Sequence, residues 1–341
     1  MVIMKQILTF LAMLSLTSPG HAQRPVEPAV DDAQLAAFRN LQILDQRLFG
    51  IGYRLAVANA PFCRTPTARA GFLLHDIDQY ADQPSARAAF DIDHSIAFNA
   101  IAPNSPAERA GLRAGDDLLA LNETQIAAIR LDDPASAKQQ PGYRRIAAVN
   151  KLLAKNLQAG EISLTLADGE AQKIVAIVAE PGCASNFQIA VTDDRAASAN
   201  GEMVTISSGL AEYFLDDDEF AAVVAHELAH NLLNHRDRLN AQKVNRGFFG
   251  QFGKSAGRIR DTEIEADRLS VWLMVNAGYD PKAAIRFWTR YGKEHGKGIF
   301  SASTHYRWKK RVKLFREELA KIAALDPVDG KYAPPLLARI N

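Results

Sequence analysis

The stretch FAAVVAHELAHNLLNH, at residues 220–235, has the apolar spacing of a helix but also carries His226, Glu227 and His230. Burying ionisable groups in an apolar helix costs free energy unless each group has a partner. Side chains four residues apart lie on one face of a helix, so both imidazoles can reach one tetrahedral Zn²⁺ ion. The spacing therefore predicts a zinc site, and a helix with two hydrogen-bonded core histidines is the alternative.

Glu227 is predicted to be the general base of that site. It lies about 100° round the helix from His226, which puts it beside the metal rather than on it. A carboxylate in this place can take a proton from zinc-bound water and pass it to a leaving amine. A purely structural zinc site has no use for such a group, so this residue indicates hydrolysis of a peptide bond.

A catalytic zinc ion takes three protein ligands and keeps one position open. A third histidine six residues after His230, with a glycine between them, would define the metzincin class, but those positions hold Arg236 and Leu233. The later stretch TEIEADR offers carboxylates instead, with Glu263 and Asp267 four residues apart on one helix face. We predict the glutamate as the third ligand and the aspartate as the acceptor that orients a ligand histidine through its other ring nitrogen.

Two residues near these motifs are predicted to lie away from the metal. Glu265 falls on the side of its helix opposite to Glu263. His235 lies five residues beyond His230 and turns off the ligand face, so it is interpreted as structural or solvated. The stretch TEIEADR also fits a surface helix whose acids pair with neighbouring arginines, and that is the alternative to a ligand helix.

The pairing of HELAH with EIEAD resembles the CAAX prenyl endopeptidase/HtpX-like family of zinc metallopeptidases, in its soluble secreted branch. The resemblance covers residues 184–320 and extends to residues 31–63. It implies an α+β fold, with a mostly helical zincin-type (gluzincin) metalloprotease domain and a small edge sheet. It also implies one zinc ion per chain, with the general base and the three ligands at these positions: Glu227, His226, His230 and Glu263.

The same family tends to carry a T-H-P motif and an arginine six residues after its histidine. The matching residues here are Thr304-His305-Tyr306 and Arg311, so the spacing holds while tyrosine replaces proline. By resemblance, His305 or Arg311 is predicted to stabilise the oxyanion or to gate the metal. Packing of the last helix is the alternative.

A second motif, NSPAERAGLRAGDDLLALN, occupies residues 104–122 and contains a short helix ended by Gly111. A later helix at residues 143–158 and two strands follow it, and the whole resembles a bacterial-type PDZ domain over roughly residues 67–180. The resemblance implies a peptide ligand bound as an added strand between the first strand and that helix. The usual carboxylate-binding glycine loop is not evident, which leaves capture of a peptide C-terminus open. A spacer module without a peptide ligand is the alternative.

The N-terminal residues MVIMKQILTFLAMLSLTSPGHAQ have one lysine before an apolar run, then Pro19, Gly20 and Ala22. This pattern predicts a secretory signal peptide that is cleaved after Ala22. An uncleaved membrane anchor is the alternative, although the run is short for a membrane span. The mature chain is therefore expected to be exported, soluble and periplasmic, without an integral membrane segment.

The chain has two cysteines, Cys63 and Cys183, and both fall in the exported part. In an oxidising compartment they are expected to form a disulfide, with two buried free thiols as the alternative. Because they flank the PDZ-like segment, we hypothesise that this segment is an insertion whose ends the disulfide ties together. The predicted division is a signal peptide at 1–22, protease residues 23–66, a PDZ-like domain at 67–181 and the remaining metalloprotease domain at 182–341.

The first part of the protease domain is predicted to contain a helix and a strand. Residues 31–49 have helical apolar spacing after an acidic cap, and GYRLAVANA at residues 52–60 is predicted to be a strand. Composition adds that 341 residues with 48% hydrophobic side chains suffice for about two packed domains. The net charge of +1 does not indicate a nucleic-acid partner.

These features together predict a zinc-dependent endopeptidase that cleaves unfolded or extended polypeptides, with a role in protein quality control. The substrate is expected to pair as an added strand beside residues 202–208. The stretch GFFGQFGKSAG at residues 247–257 is interpreted as a mobile lid or as a packed loop. The alternative function is a PDZ-type peptide-binding protein, or a latent protease or chaperone-like quality-control protein, whose zinc site is not catalytic.

Overall fold

The computed structural model describes residues 30–129, 131, 141–244, 253–295 and 307–338. The α-helices in these ranges are α1 (Asp32–Ala58), α2 (Gln83–Phe90), α3 (Pro106–Arg109), α4 (Pro141–Leu157), α5 (Ser208–Ala211), α6 (Asp217–Leu232), α7 (His235–Ala241), α8 (Gly253–Asn276), α9 (Lys282–His295), α10 (Trp308–Ala323) and α11 (Pro335–Ala338). The strands are β1 (Pro66–Arg69), β2 (Phe72–Asp76), β3 (Ile96–Ile101), β4 (Leu118–Leu121), β5 (Thr124–Gln125), β6 (Glu161–Asp168), β7 (Ala171–Val178), β8 (Glu180–Cys183), β9 (Asn186–Ala190), β10 (Ala197–Ala199) and β11 (Met203–Ser207).

Helix α6 is the centre of the helical part of the molecule. It begins after Asp216, whose side chain accepts a hydrogen bond of 2.7 Å from the backbone N–H of Glu219, and acidic residues fill its first turn. Both features stabilise a helix N-terminus. Residues 220–229 are all buried, and α1, α8 and α9 pack around them. The helix that bears the HELAH motif is therefore held from several sides.

Helix α6 ends at Leu232, and the chain changes direction at Asn234. The backbone of Asn234 adopts a left-handed conformation with φ of 50°, which asparagine tolerates better than most residues. Helix α7 then begins at His235. A continuous helix would have carried His235 off the ligand face, but the break redirects it.

The PDZ-like segment has its own apolar core, separate from that around α6. It contains the antiparallel pair β2–β3, the four-stranded sheet β5–β4–β6–β7 and helix α4. Strands β1 and β8 pair antiparallel at the base of the segment, with Pro66 opposite Cys183. Cys63 and Cys183 form the predicted disulfide there, with their Cα atoms 5.5 Å apart. The disulfide prediction is thus confirmed.

Helix α1 joins the PDZ-like segment to the helical part. The side chain of Gln46 bonds the edge of β3 twice, donating to the carbonyl of Ile101 over 2.7 Å and accepting from its N–H over 3.0 Å. The Asn99 amide donates to Asp45 over 2.9 Å. On another face, α1 packs against α6. One helix therefore supports both parts of the molecule.

The prediction of a strand at residues 52–60 is wrong. Residues 52–58 continue α1, which runs from Asp32 to Ala58, and Ala60 begins a short 3-10 helix. Leu48, Ile51 and Leu55 are buried against the core around α6, at helical spacing. The short alternation of apolar residues suggested a strand, but burial along one face of a long helix explains the same residues.

The sheet beside α6 has the order β10–β11–β9, so β11 is its central strand. Strand β9 pairs with β11 in parallel and β10 pairs with it antiparallel. The expectation that a substrate strand adds beside residues 202–208 is therefore wrong, because both edges of β11 are already paired. Among the described residues, no strand pairs with the outer edge of β10.

Three predictions involve parts of the chain outside the described residues. They are the signal peptide at residues 1–22, His305, and residues 247–252 of the predicted lid. Residues 253–257 of that stretch form the start of α8 rather than a loop. Within the described ranges, no helix combines the length and apolar character needed to cross a membrane.

Candidate metal centre

Packing of α6 against α8 brings the three predicted ligands together. One ligand atom from each of His226, His230 and Glu263 lies within 4.8 Å of the others. The Nε2 atoms of the two imidazoles are 3.2 Å apart. The Glu263 carboxylate oxygens lie 3.5 Å from Nε2 of His226 and 3.4 Å from Nε2 of His230. These atoms converge on one point between the helices.

The donor set fits a zinc ion. Two imidazole nitrogens and a carboxylate oxygen are a common ligand set of catalytic zinc sites, and they leave a position open. The Nδ1 atom of His226 bonds Asp267 over 2.8 Å, and Nδ1 of His230 lies 2.9 Å from a nitrogen of His235. With the Nδ1 atoms engaged elsewhere, both Nε2 atoms can direct a lone pair at the same point. A cation there would relieve the repulsion between these electron-rich atoms.

The electrostatics of the buried pair also favour positive charge at this point. Burial disfavours a charged His226, but hydrogen bonds to Asp267 and Glu263 outweigh it and raise the pKa to about 10. Burial and the neighbouring charge of His226 lower the pKa of His230 to about 3. The carboxylates of Asp267 and Glu263 therefore favour positive charge beside His226. The same surroundings would stabilise a metal cation in its place.

Asp267 lies behind His226, with its Oδ1 atom 2.8 Å from Nδ1 of the imidazole. It is fully buried, and the guanidinium of Arg311 forms two hydrogen bonds with its carboxylate, one of them 2.7 Å from Nε to Oδ2. Burial opposes the charge of Asp267, but Arg311 and His226 keep its pKa below the ordinary value. The charged carboxylate can therefore accept the Nδ1–H of His226.

Arg311 lies on a different side of His226 from the one its predicted role requires. Its Nη2 atom is 3.2 Å from Nδ1 of His226, whereas the ligand atoms meet at Nε2. Its Cζ atom stacks 3.5 Å from the centre of the Trp288 ring. These contacts suit a residue that positions Asp267 better than one that stabilises an oxyanion. His305, the other residue predicted for that role, lies outside the described residues.

Glu227 follows His226 on α6, and 9% of its surface is exposed. Glu227 is therefore largely buried, next to His226 in the sequence. Its role as general base stays a prediction.

Sequence reasoning missed a second set of contacts, behind His230. His235 is buried, and its Nε2 atom lies 3.0 Å from Oε2 of Glu265. Arg238 donates to the same oxygen over 2.7 Å. Glu265 of α8 thus bonds two residues of α7. Asn234 before His235 was the available signal, since asparagine is a common residue where a helix ends in a left-handed conformation.

Asn231 of α6 was also not predicted from the sequence. It joins the sheet β10–β11–β9 to that helix. Its side chain accepts the N–H of Gly201 over 2.7 Å, in the turn between β10 and β11. It also donates to the hydroxyl of Ser185 over 2.9 Å, just after the disulfide. The residue next to His230 therefore holds the edge of the sheet beside the candidate site.

Comparison with known proteins gives two family matches. Residues 172–259 match Peptidase family M48, and residues 98–147 match the PDZ domain. The first match includes His226, Glu227 and His230 and ends shortly before Glu263. The chain thus contains one segment that is similar to a PDZ domain and one that is similar to M48 peptidases, in agreement with the PDZ and metallopeptidase resemblances of the sequence.

Two curated relatives are mitochondrial metalloendopeptidases named OMA1. The protein of Schizosaccharomyces pombe is 31% identical over 140 residues, which cover 35% of this chain and 42% of the relative. The protein of Arabidopsis thaliana is 29% identical over 131 residues, which cover 33% of this chain and 27% of the relative. The chain thus spans less than half the length of either relative. The matches support a metalloendopeptidase, without selecting the CAAX/HtpX-like branch.

Proposed function

We propose that the protein is a zinc-dependent endopeptidase of the gluzincin type that cleaves unfolded or extended polypeptides. The observation that carries the proposal is the convergence of His226, His230 and Glu263 on one point, with Glu227 next to the first of them. The match to Peptidase family M48 supports the same reaction class. A CAAX/HtpX-like affiliation and a periplasmic location remain part of this proposal, supported by the sequence motifs and the N-terminal pattern.

His226, His230 and Glu263 would hold the zinc ion, and Asp267 would keep the first imidazole oriented through its Nδ1–H. When bound, zinc supplies a Lewis acid that polarises the scissile carbonyl and activates water. Glu227 takes the proton from the attacking water and delivers it to the leaving amine nitrogen. The arrangement therefore assigns separate groups to metal binding and to proton transfer.

An extended substrate is proposed to bind along the outer edge of β10. Ala196 accepts from Ser207 and Asn200 donates to Met203, so these residues bond toward β11. Because backbone groups alternate along an antiparallel strand, Ala197 and Ala199 direct their N–H and C=O groups outward. A substrate strand can pair with these groups, and a compactly folded region cannot. This geometry supports a preference for unfolded polypeptides.

The test is degradation of a reduced and carboxymethylated protein by the wild type and by Glu227→Gln. We expect cleavage by the wild type that a chelator abolishes and added zinc restores. The Glu227→Gln variant should bind zinc as the wild type does, with cleavage reduced by at least about 10²-fold, the scale of a lost general base. Undiminished cleavage by this variant would contradict the assigned base.

A peptide-binding function is the second candidate, and the PDZ match favours it. Its ligand would pair with β2 in the groove beside α4. At one end of that groove, Arg145 of α4 donates to Asp76 at the end of β2 over 2.6 Å. If the zinc-loaded wild type binds an extended peptide but cleaves no substrate, this candidate replaces the endopeptidase.

A further inference from the structure

His235 is the least expected member of the candidate site. It is 2% exposed, and its Nδ1 atom lies 2.9 Å from Nδ1 of His230. Its other nitrogen, Nε2, lies 3.0 Å from Oε2 of Glu265. The carboxylate also accepts from Arg238, over 2.7 Å. His235 thus connects a charged carboxylate to a predicted metal ligand.

With His235 neutral, the hydrogen-bonding capacity of these groups determines where the protons lie. An ionised carboxylate only accepts hydrogen bonds, so Nε2 of His235 must carry the proton that Glu265 accepts. In a neutral imidazole the other nitrogen is then an acceptor, which makes Nδ1 of His235 the acceptor for His230. Nδ1 of His230 must therefore carry a proton, and its Nε2 keeps a lone pair.

We infer that His235 is a positioning residue that, held by Glu265, sets the tautomer and ring orientation of His230 for metal binding. The inference rests on the proposed zinc site. The two ligand imidazoles are then supported differently. Asp267 accepts directly from His226, whereas Glu265 acts on His230 through an intervening imidazole. Hydrogen bonds behind a ligand histidine commonly raise metal affinity by fixing its orientation.

The left-handed turn at Asn234 makes this contact possible. It ends α6 and starts α7 at His235, so the imidazole returns toward the ligand face instead of continuing round the helix. Glu265 is supplied by α8, the helix that also carries Glu263. The same pair of helices therefore provides a ligand and the group that orients another ligand.

The experiment is a chelator competition that measures zinc affinity in the full chain. His235→Phe removes the acceptor, and we expect a loss of affinity on the order of 10- to 100-fold, the usual effect of removing such a partner. His235→Asn places an amide oxygen near the position of Nδ1 and should recover most of the loss. His75→Phe is the matched control, since His75 is a buried histidine of the PDZ-like segment. It should bind zinc as the wild type does.

Glu265→Ala provides a second test, in which the buried ring of His235 is not replaced. Its side chain is 30% exposed, so the variant is expected to fold. With Co²⁺ in place of zinc, we expect its visible absorption spectrum to differ from that of the wild type, together with a weaker affinity. A purely structural contact would leave the spectrum unchanged.

The outcomes separate this inference from the proposed function. If the wild type binds zinc and both His235→Phe and Glu265→Ala bind it equally well with the wild-type cobalt spectrum, the inference is wrong and the zinc site stands. If His235→Asn is as weak as His235→Phe, an acceptor at Nδ1 is not what matters, and the inference is again wrong. If the folded wild type binds no zinc, the proposed function itself fails.

Discussion

Each of the two histidines predicted as ligands is held by a second polar group. His226 is backed by Asp267, which is itself paired with Arg311, and His230 is backed by His235. These partners are buried, so the low dielectric strengthens their hydrogen bonds. At the level of single residues, the site is a set of oriented donors and acceptors rather than three isolated ligands.

The position of Arg311 gives a prediction about its role. Since the guanidinium contacts Asp267 and the Nδ1 side of His226, Arg311→Lys should weaken zinc binding and stability. With saturating zinc, we expect kcat to stay within about tenfold of the wild type. A residue that stabilises the oxyanion would instead reduce kcat by about 10²–10³-fold under the same conditions. Turnover measured over a range of zinc concentrations distinguishes the two.

His75 gives a prediction about acid stability. Burial lowers its pKa to about 3, and Nε2 has no hydrogen-bond partner among the described residues. The unfolded chain, with the ordinary value of 6.5, takes up a proton that the folded protein resists. The neutral form therefore contributes its full stability above about pH 6.5, and this stability is lost as the pH falls toward 3.

We expect the free energy of unfolding of the wild type to fall by about 1.6 kcal/mol more than that of His75→Phe between about pH 6.5 and pH 5. Urea denaturation at several pH values measures this difference. Asp45, whose pKa burial raises to about 6, is present in both proteins and so cancels in the comparison. Parallel pH curves for the two proteins would show that His75 is not the responsible group.

At the level of elements, the site depends on two junctions. Helix α8 packs on α6 to supply Glu263, and α10 packs on α8 to supply Arg311. Glu318 holds the second junction, since it accepts from Arg268 over 2.8 Å and from the indole of Trp272 over 2.9 Å. Its burial with three donors explains how α10 keeps a fixed position beside the metal centre.

At the level of elements, the prediction concerns the outer edge of β10. The N–H of Ala199 points away from β11, so Ala199→Pro should remove a donor for the substrate while leaving the sheet bonds intact. Loss of one backbone hydrogen bond to the substrate should raise KM by about three- to tenfold. Zinc affinity should not change. Ala199→Val keeps the N–H and is the matched control, and an equal rise in KM for it would point to a steric effect instead.

The whole molecule is organised around two connections between the PDZ-like segment and the helical part. One is α1, whose glutamine and aspartate side chains bond the edge of β3. The other is the base formed by β1, β8 and the disulfide. Ser185, just after that base, bonds Asn231 of α6. The PDZ-like segment is therefore attached close to α6, the helix that carries the HELAH motif.

The disulfide gives the prediction for the whole chain. It joins residues 120 positions apart, and a cross-link over a long loop restricts the unfolded chain. We expect the double variant Cys63→Ser, Cys183→Ser to lose about 2–5 kcal/mol of unfolding free energy in urea. The reduced wild type should match the variant. Equal stability of the oxidised wild type and the variant would contradict the expected contribution.

Some features of the candidate site and of the fold follow from the sequence alone. The two histidines of HELAH share a helix face because residues four positions apart lie on the same side of any α-helix. The acidic cap before α6 follows from the same kind of local rule. The pairing of the two cysteines could also be predicted, because the chain has no others.

Only the tertiary structure decided the remaining features, because they depend on contacts between residues distant in sequence. The side of His226 that Arg311 approaches depends on how α10 packs on α8. The central place of β11 depends on pairing with both β9 and β10, which its own residues do not specify. His235 reaches His230 only because the chain turns at Asn234, and Glu265 then meets it from another helix. Strand order and helix packing result from burial of the whole chain, so short motifs cannot determine them.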